Sequence, residues 1–215
     1  MAKKFFIIDG YSYLYQAYHA IRSMTGPKGE PTNAIFGFIS MILRLREKEG
    51  PEYIAITFDE KAPTFRHKAY KEYKATRKPM PDELRSQVPI VMKIVEAYSI
   101  PVFSREGFEA DDVIATIADK VNGRNVETFV ISRDKDLKQI LKSSVYLYDT
   151  KDGSRYGVEN FREEFGIEPE HFADFLALTG DSSDNIPGVP GIGKKLSLIH
   201  ISEPTRPLYI SYAVS

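Results

Sequence analysis

Short, mainly apolar runs that end near an acidic residue recur four times along the chain. Such runs are typical of strands that are buried on both faces of a sheet. The runs, each with the acid that follows it, are Phe5–Ile8 with Asp9, Tyr53–Phe58 with Asp59, Val126–Ile131 with Asp134, and Val145–Tyr148 with Asp149. Stretches with helical spacing, 35–45 and 84–98, lie between them, although Pro89 disfavours a helix through the first turn of the second. Alternating strands and helices predict an α/β fold built on a mostly parallel sheet.

The composition bounds the size and the setting of this fold. With 215 residues and 42% hydrophobic side chains, the chain can bury the core of one domain, or of one domain with a small appendage. It has no Cys, which excludes disulfides, thiolate metal sites and a cysteine nucleophile, and which fits a reducing compartment. The apolar run near the start is too short for a signal peptide or a membrane span. We therefore expect a cytoplasmic protein with no membrane partner.

Acidic side chains stand at positions that a parallel sheet brings to one edge. Ligands of such sheets bind outside the carboxyl ends of the strands, where the acids that follow the strands converge. Two further acidic motifs join them, one at the predicted start of a helix in 107–118 and one in the polar turn 178–188, after a predicted helix Pro169–Thr179. The nine candidate carboxylates are Asp9, Asp59, Glu109, Asp111, Asp112, Asp134, Asp136, Asp181 and Asp184.

These carboxylates predict a metal site when they are taken together. Singly, each motif has a structural explanation, because acids also cap helix N-termini and form turns. Nine carboxylates at one edge, however, repel each other strongly unless cations neutralise them. Oxygen ligands with no Cys, and no His beside them, select hard ions, so we expect Mg²⁺ or Mn²⁺ rather than Zn²⁺. Two such ions about 4 Å apart can activate water and stabilise the leaving oxygen of a phosphodiester.

One stretch of the chain, 61–85, is strongly basic. It carries eight Lys and Arg residues against three Asp and Glu, within a chain whose formal net charge is -1. Beside a carboxylate metal site, such a segment suits the phosphate backbone of a nucleic acid, with Lys74 or Arg77 balancing the charge of the transition state. Alternatively, the segment is the solvent-exposed face of a helix and binds no nucleic acid.

Six motifs, taken in chain order, give the sequence a specific resemblance. They are Phe6–Gly10, Phe58–Tyr70, Tyr73–Arg77, Glu109–Asp112, Ser132–Leu137 and Gly180–Gly193. Together they resemble the 5'-nuclease domain at the N-terminus of bacterial DNA polymerase I and, more broadly, the flap endonuclease family. The resemblance covers 1–195 and implies a Rossmann-like, PIN-like nuclease core, a helical arch at about 61–85, and a helix–three-turn–helix motif that grips duplex DNA.

The resemblance also implies an activity. It implies a divalent-metal-dependent 5'-3' exonuclease and 5'-flap endonuclease that acts in replication and repair. The implied substrates are DNA with a flap, a nick or a 5' end, and RNA primers on DNA. A C-terminal polymerase domain in the parent protein is implied as a partner.

Site residues follow from the resemblance, position by position. The acids around the first metal would be Asp9, Asp59, Glu109, Asp111 and Asp112, and those nearer the second would be Asp134, Asp136, Asp181 and Asp184, with the division between the two ions left open. Contacts to the scissile phosphate or the 5' strand would come from Arg66, Lys74 and Arg77. The hairpin that holds duplex backbone, together with a potassium ion, would comprise Gly191, Ile192, Gly193 and Lys194.

The last residues depart from the resemblance. We expect no helix after the hairpin Gly191–Gly193, since 196–215 contains prolines, lacks a helical period and differs in composition. We interpret 196–215 as a non-native tail that resembles a translated sequencing adapter, with a natural C-terminal strand as the alternative. The predicted domains are a catalytic core at 1–166 and an incomplete DNA-binding region at 167–195, followed by the tail. Because the family continues through further helices, we expect a fragment with weak or absent activity of its own.

Three other functions remain open. A non-catalytic, structure-specific DNA-binding module would keep the acids as a remnant of the fold. A haloacid-dehalogenase-type phosphatase would need a second Asp two residues after Asp9, where the chain has Tyr11. A PIN-type ribonuclease is nearer in fold, but the basic segment and the Gly-Ile-Gly hairpin count against it.

Overall fold

A six-stranded sheet forms the centre of the molecule, whose computed structural model describes residues 2–202. The strands are β1 (Lys3–Asp9), β2 (Tyr53–Thr57), β3 (Val102–Phe103), β4 (Val126–Ile131), β5 (Val145–Tyr148) and β6 (Arg155–Tyr156). Their order across the sheet is β3-β2-β1-β4-β5-β6. All neighbouring pairs are parallel except β5 and β6. The predicted α/β fold with a mostly parallel sheet is therefore confirmed.

Eight helices accompany the sheet within the described residues. They are α1 (Gly10–Ala20), α2 (Asn33–Glu49), α3 (Phe65–Ala69), α4 (Asp82–Ala97), α5 (Ala110–Val121), α6 (Val158–Phe165), α7 (Phe172–Thr179) and α8 (Lys194–Ser202). Short 3₁₀ turns occupy Lys135–Ile140 and Pro169–His171. None of these helices is long and apolar enough to cross a membrane.

The two helices predicted from apolar spacing are present as α2 and α4. Pro89 lies inside α4 without ending it. Proline removes the hydrogen bond to the carbonyl four residues earlier, which here belongs to Arg85. Both residues are exposed, so water can satisfy that carbonyl.

Apolar layers cover both faces of the sheet, which explains why the strand runs are continuously apolar. On β1, Phe6 and Ile8 belong to the core shared with α1, α2 and α4. Ile7, on the opposite face of the same strand, packs with Ile114 of α5. Residues that alternate along a strand point to opposite faces, so a strand covered on both sides needs apolar residues at every position. This packing fixes the carboxyl ends of the strands in one place.

Several shorter elements leave no recognisable pattern in the sequence. The strands β3 and β6 have two residues each, too few to show a period. Helix α1 begins directly after β1, and its buried side chains mix aromatic and small residues, as Tyr13, Leu14 and Ala17 show. Its N-cap is Asp9, whose carboxylate accepts the Ser12 N–H at 3.1 Å. An acid interpreted as a metal ligand therefore also begins a helix.

The expectation that no helix follows the hairpin Gly191–Gly193 is wrong. Helix α8 begins at Lys194, and the Ser197 N–H donates to the carbonyl of the last hairpin glycine at 3.0 Å. Leu198 and Ile201 pack on the phenylalanine cluster formed by α6 and α7. Burial of these two side chains holds the helix, although its apolar period is weak.

The prolines that argued against this helix lie beyond it. Pro204 and Pro207 follow the last residue of α8, so they do not interrupt its hydrogen bonds. Residues 203–215 lie outside the described part of the chain. The origin of 196–215 as a non-native tail stays a prediction, as do the domain boundaries.

Candidate active site

Three acids lie at or just after the carboxyl ends of neighbouring parallel strands. Asp9 is the last residue of β1 and is in register with Thr57, the last residue of β2. Asp59 follows β2 by two residues, and Asp134 follows β4, the other neighbour of β1, by three. Because parallel strands end at the same edge, all three side chains reach one cavity of about 420 Å³.

The N-terminus of α5 supplies the other acids of this cavity. Glu109 is the N-cap of α5, and Asp111 lies in its first turn, where the helix dipole favours negative charge. The Ala110 N–H donates to Asp59 Oδ1 at 2.7 Å, which joins the end of β2 to the start of α5. The first acid group, as we name it, comprises Asp9, Asp59, Glu109, Asp111 and Asp134.

Two serines hold the Asp9 carboxylate in one orientation. Ser132 Oγ donates to Asp9 Oδ2 at 2.7 Å, and the Ser12 N–H donates to Oδ1. Ser12 Oγ in turn accepts the Arg133 N–H at 2.9 Å, which ties the start of α1 to the loop after β4. Burial raises the pKa of Asp9 to about 6, against the lowering effect of its two hydrogen bonds.

A second acid group comprises Asp136, Asp181 and Asp184. One oxygen from each of these residues lies within 4.8 Å of the others. Asp136 Oδ1 is buried and has no hydrogen-bond partner among residues 2–202. Burial, and then the charge of Asp134, raises the pKa of Asp136 to about 6. A cation bound in this group would satisfy the unpartnered oxygen and offset the repulsion.

The basic segment 61–85 packs against both acid groups. It contains the short helix α3, then turns, and its last residues form the start of α4. The Lys74 N–H donates to the Asp184 carbonyl at 3.0 Å, and Asn185 Nδ2 donates to the Glu72 carbonyl at 2.9 Å. These bonds dock the segment on the turn after α7 and direct the Lys74 and Arg77 side chains to the cavity of the first acid group.

Lys74 and Arg77 neutralise acids of both groups. Lys74 Nζ donates to Glu109 Oε1 at 2.8 Å and lies 3.9 Å from Asp184 Oδ2. The Arg77 guanidinium donates to Asp184 Oδ1 at 2.6 Å. The two cations predicted to face a scissile phosphate thus lie among the predicted metal-binding acids.

Arg66 and Asp112 form a pair beside the first acid group. The terminal nitrogens of Arg66 donate to both Asp112 oxygens, at 2.7 and 2.8 Å. Burial alone would raise the pKa of Asp112, but the guanidinium outweighs it and lowers that pKa. By contrast, burial, and then the charge of Asp112, raises the pKa of Asp111 to about 7. Asp112 does not line the cavity, so the structure separates it from the other acids assigned to the first metal.

The sequence assigns no role in this site to four residues: Ser12, Tyr73, Ser132 and Lys135. Tyr73 is buried, and its hydroxyl lies 2.8 Å from Glu109 Oε2 and 2.9 Å from Asp184 Oδ2, so it links the two acid groups. The phenol has one hydrogen and donates to one carboxylate at a time. Lys135 Nζ donates to Asp181 Oδ1 at 2.8 Å. Tyr73, Ser132 and Lys135 lie inside motifs that carry the family resemblance, and Ser12 follows another such motif, but no pattern in the sequence shows what they contact.

The predicted duplex-binding residues lie away from both acid groups. Gly191 has φ +82°, a conformation that glycine adopts without strain, and it turns the chain before α8. The Ile192 N–H donates to the Val189 carbonyl at 3.0 Å. Lys194 opens α8 with its ammonium 4.9 Å from the centre of the Phe165 ring. Among residues 2–202, no hydrogen bond or ion pair joins this hairpin to either acid group.

Comparison with known proteins gives the family. The profile of the 5'-3' exonuclease N-terminal resolvase-like domain matches residues 4–166, and that of the 5'-3' exonuclease C-terminal SAM fold matches residues 167–204. The chain belongs to the 5'-3' exonuclease family. The 5'-3' exonuclease of Aquifex aeolicus is 38% identical over 196 residues, which cover 91% of this chain and 68% of that protein.

Relatives in the family also include longer proteins. The DNA polymerase I of Pseudomonas aeruginosa is 44% identical over 192 residues, which cover 89% of this chain and 21% of that protein. The DNA polymerase I of Bacillus subtilis is 38% identical over 200 residues, 91% of this chain and 23% of that protein. This member of the exonuclease family thus spans about a fifth of the length of its DNA polymerase I relatives.

Solved structures share the fold of this exonuclease family member. The phage T5 D15 protein, co-crystallised with metal ions, superposes with a TM-score of 0.75 at 23% identity, over 94% of this chain and 75% of that one. The catalytic core of Rad2, in complex with DNA substrate, superposes with a TM-score of 0.61 at 19% identity, over 94% and 61%. At these identities the likeness concerns the fold alone, and it confirms the predicted α/β core with a mostly parallel sheet.

Proposed function

We propose that the chain is a divalent-metal-dependent nuclease that hydrolyses phosphodiester bonds at the 5' ends and flaps of DNA. The observation that carries this proposal is the convergence of both acid groups at one edge of the sheet, next to Lys74 and Arg77. The family, with its 5'-3' exonuclease in Aquifex aeolicus, supports the reaction. The similar fold of Rad2, solved in complex with DNA substrate, supports the substrate class.

The donor set of both acid groups fits hard divalent cations. It consists of carboxylate oxygens, and the second group includes the unpartnered, buried Asp136 Oδ1. We propose Mg²⁺ or Mn²⁺, one ion in each group, and the T5 D15 protein co-crystallised with metal ions supports such binding. Ions bound there would activate water and neutralise the charge that develops on the phosphate.

The protein's own residues would orient the reactants. Ser12 and Ser132 hold the Asp9 carboxylate in a fixed direction before any ligand arrives. Lys74 and Arg77 line the cavity, and their N–H groups can turn from the acids to phosphate oxygens when a strand enters. Arg66, held by Asp112, would contact the strand beside the cavity.

Other parts of the proposal concern binding beyond the cavity. The exposed backbone at Gly191–Gly193 and the N-terminus of α8 would hold duplex phosphates, together with Lys194. We include a potassium ion at this hairpin, RNA primers as substrates, and a cytoplasmic location. The polymerase I relatives support a polymerase domain in a parent protein.

A cleavage assay tests the proposed function. The protein is incubated with labelled 5'-flap DNA in Mg²⁺ or in EDTA, and we expect slow incision near the flap junction, only with the metal. Asp134→Asn should abolish incision while the protein remains folded, since an amide oxygen can still accept the Asp136 N–H at 2.9 Å. Asp152→Asn, at an exposed loop acid, is the matched control and should cleave normally. Wild-type rates in Asp134→Asn would contradict the proposal, and metal-independent binding without cleavage would favour a DNA-binding module.

A further inference from the structure

Three phenylalanines are exposed beside the first acid group. The exposed fractions are 49% for Phe65, 42% for Phe103 and 44% for Phe108. The ring centroids of Phe65 and Phe108 lie 5.8 Å apart. The Phe65 N–H donates to the Gly107 carbonyl at 3.1 Å, so α3 is fixed against the loop before α5. Clustered aromatic rings that remain in contact with water indicate a binding surface.

A cleft of about 340 Å³ opens between this loop and α5. Its apolar walls combine the aromatic rings of Phe103, at the end of β3, and Phe108, in the loop, with aliphatic side chains of α5, and two cations belong to its lining. We name it the aromatic cleft and define it by Phe103, Arg105, Phe108, Val113, Ile117 and Lys120.

The aromatic cleft adjoins the candidate active site. Phe108 immediately precedes Glu109, an acid of the first group. Phe65 immediately precedes Arg66, whose guanidinium lies 4.7 Å from the centre of the Phe65 ring. Arg66 pairs with Asp112, which lines the cleft itself. A strand with one phosphate at the first acid group would therefore have a neighbouring nucleotide at the aromatic cleft.

Unpaired cations lie in the cleft and in the basic segment that carries Phe65. Lys61, Lys68, Arg105 and Lys120 are exposed, and none of them forms an ion pair within residues 2–202. Aromatic faces beside free cations are the chemistry that binds single-stranded nucleic acid, because bases stack on the rings and phosphates contact the cations. Duplex DNA keeps its base faces stacked inside the helix, so it does not match exposed rings.

We infer that the aromatic cleft binds an unpaired nucleobase of the substrate strand, next to the nucleotide whose phosphate lies at the first acid group. Phe108 supplies the stacking surface in the cleft, with the centroid of the Phe65 ring 5.8 Å from its own, and Arg105 and Lys120 contact the flanking phosphates. This inference rests on the proposed function, because a nucleic acid strand in the cavity is what brings a base beside Phe108.

A comparison of the protein's affinity for two flap substrates tests the inference. Two fluorescently labelled 5'-flap DNAs are compared in EDTA, one with normal bases and one with abasic residues at the flap positions nearest the junction. We expect the wild-type protein to bind the normal flap about tenfold more tightly. Phe108→Ala should bind the normal flap about tenfold more weakly and the abasic flap as the wild type does, and Phe108→Trp should restore the preference.

A matched control variant is available on another part of the surface. Tyr98 follows α4 and is 38% exposed, with the Arg46 guanidinium 5.4 Å from its ring centre, which resembles the arrangement of Phe65 and Arg66. Tyr98→Ala should bind both DNAs as the wild type does. Thermal unfolding of each variant verifies that it is folded.

Several outcomes would overturn the inference. For the wild-type protein, they are equal affinity for the two flaps or no binding of either. For Phe108→Ala, they are an equal loss of affinity for both flaps, or unchanged affinities, which are expected if the cleft binds a protein partner instead. Cleavage in Mg²⁺ is measured separately. Cleavage without base-dependent binding refutes the inference alone, whereas base-dependent binding without cleavage refutes the proposed nuclease activity alone.

Discussion

At the scale of single residues, the acids of the site differ in what offsets their charge. Asp112 and Asp181 accept hydrogen bonds from Arg66 and Lys135, and their pKa values are lowered even though burial alone would raise them. Asp9, Asp111 and Asp136 instead have raised pKa values, of which burial is the main cause. These three acids make the largest gain from a bound cation, because a cation favours the charged form that burial disfavours.

We expect Asp111→Asn to change how stability depends on pH in the metal-free protein. The pKa of Asp111 is raised from 3.8 to about 7, so the folded state holds a proton that the unfolded state releases. The resulting stabilisation is complete below pH 4 and is lost as the pH rises through about 7. The variant should match the wild type near pH 4 and be more stable by ~1–2 kcal/mol at pH 8, since solvent screening reduces the full effect. Denaturant unfolding in EDTA measures this, with Asp152→Asn as the control, and equal stability at pH 8 would contradict it.

Ser132→Ala should weaken catalysis by releasing the Asp9 carboxylate. The hydroxyl donates to Asp9 Oδ2 at 2.7 Å, and removal of a partner that orients a metal ligand costs about tenfold or more in metal affinity or activity. The rate should therefore reach its plateau at higher Mg²⁺ concentration, and Ser132→Thr, which keeps the hydroxyl, should restore the wild-type dependence. Steady-state rates across a metal titration check this. An unchanged metal dependence in Ser132→Ala would show that Ser132 does not act on Asp9.

At the scale of elements, the turn after α7 decides where the second acid group lies. Asp181 and Ile186 exchange backbone hydrogen bonds of 2.9 and 2.8 Å, which close the turn between them. Gly180 begins the turn with φ +77° and packs directly against the backbone of Gly188. The geometry of the acids therefore depends on two glycines that carry no functional group.

Gly180→Ala should disturb this turn more than a glycine replacement elsewhere. A Cβ at Gly180 would lie 2.4 Å from the Gly188 nitrogen, whereas a Cβ at Gly166, where φ is +70°, meets nothing within 4 Å. Gly166→Ala should thus cost only the left-handed strain, about 1 kcal/mol, and Gly180→Ala at least about 2 kcal/mol. Urea unfolding gives both values. Equal losses for the two variants would mean that the backbone contact at Gly180 is unimportant.

At the scale of the whole molecule, a near-neutral net charge conceals a separation of opposite charges. The formal charge is -1, yet both acid groups lie together at one edge of the sheet, and the basic segment 61–85 packs against them. In the structure Lys74 and Arg77 offset part of this negative charge. Ligands that carry positive charge should therefore stabilise the folded chain.

Divalent metal should raise the unfolding temperature of the protein. An ion that binds only the folded state adds about 2.7 kcal/mol when it is present at about 100 times its dissociation constant. We expect a rise of several degrees with Mg²⁺ or Mn²⁺, a smaller rise in Asp136→Asn, and a wild-type rise in Asp152→Asn. Scanning calorimetry with and without EDTA measures the rise, and NaCl at matched ionic strength controls for screening. An equal rise with NaCl would exclude specific metal binding.

Much of this organisation can be predicted from the sequence, because short patterns of neighbouring residues indicate the strands and the helix starts. The runs ending near Asp9, Asp59 and Asp134 indicate buried strands and the edge where the acids converge, and the acids Glu109–Asp112 indicate a helix start. The expectation of no helix after Gly193 is wrong, because that helix is held by packing on α6 and α7 rather than by its own apolar period.

The α/β architecture, the family and most of the acids at the sheet edge follow from the sequence, since short motifs of residues close together in the chain indicate each of them. The tertiary structure alone decided which cation pairs with which acid, that Tyr73 links Glu109 to Asp184, and that Ser132 orients Asp9. The last two contacts join residues 111 and 123 positions apart. Such contacts form only when separate elements pack together, so no local pattern of residues specifies them.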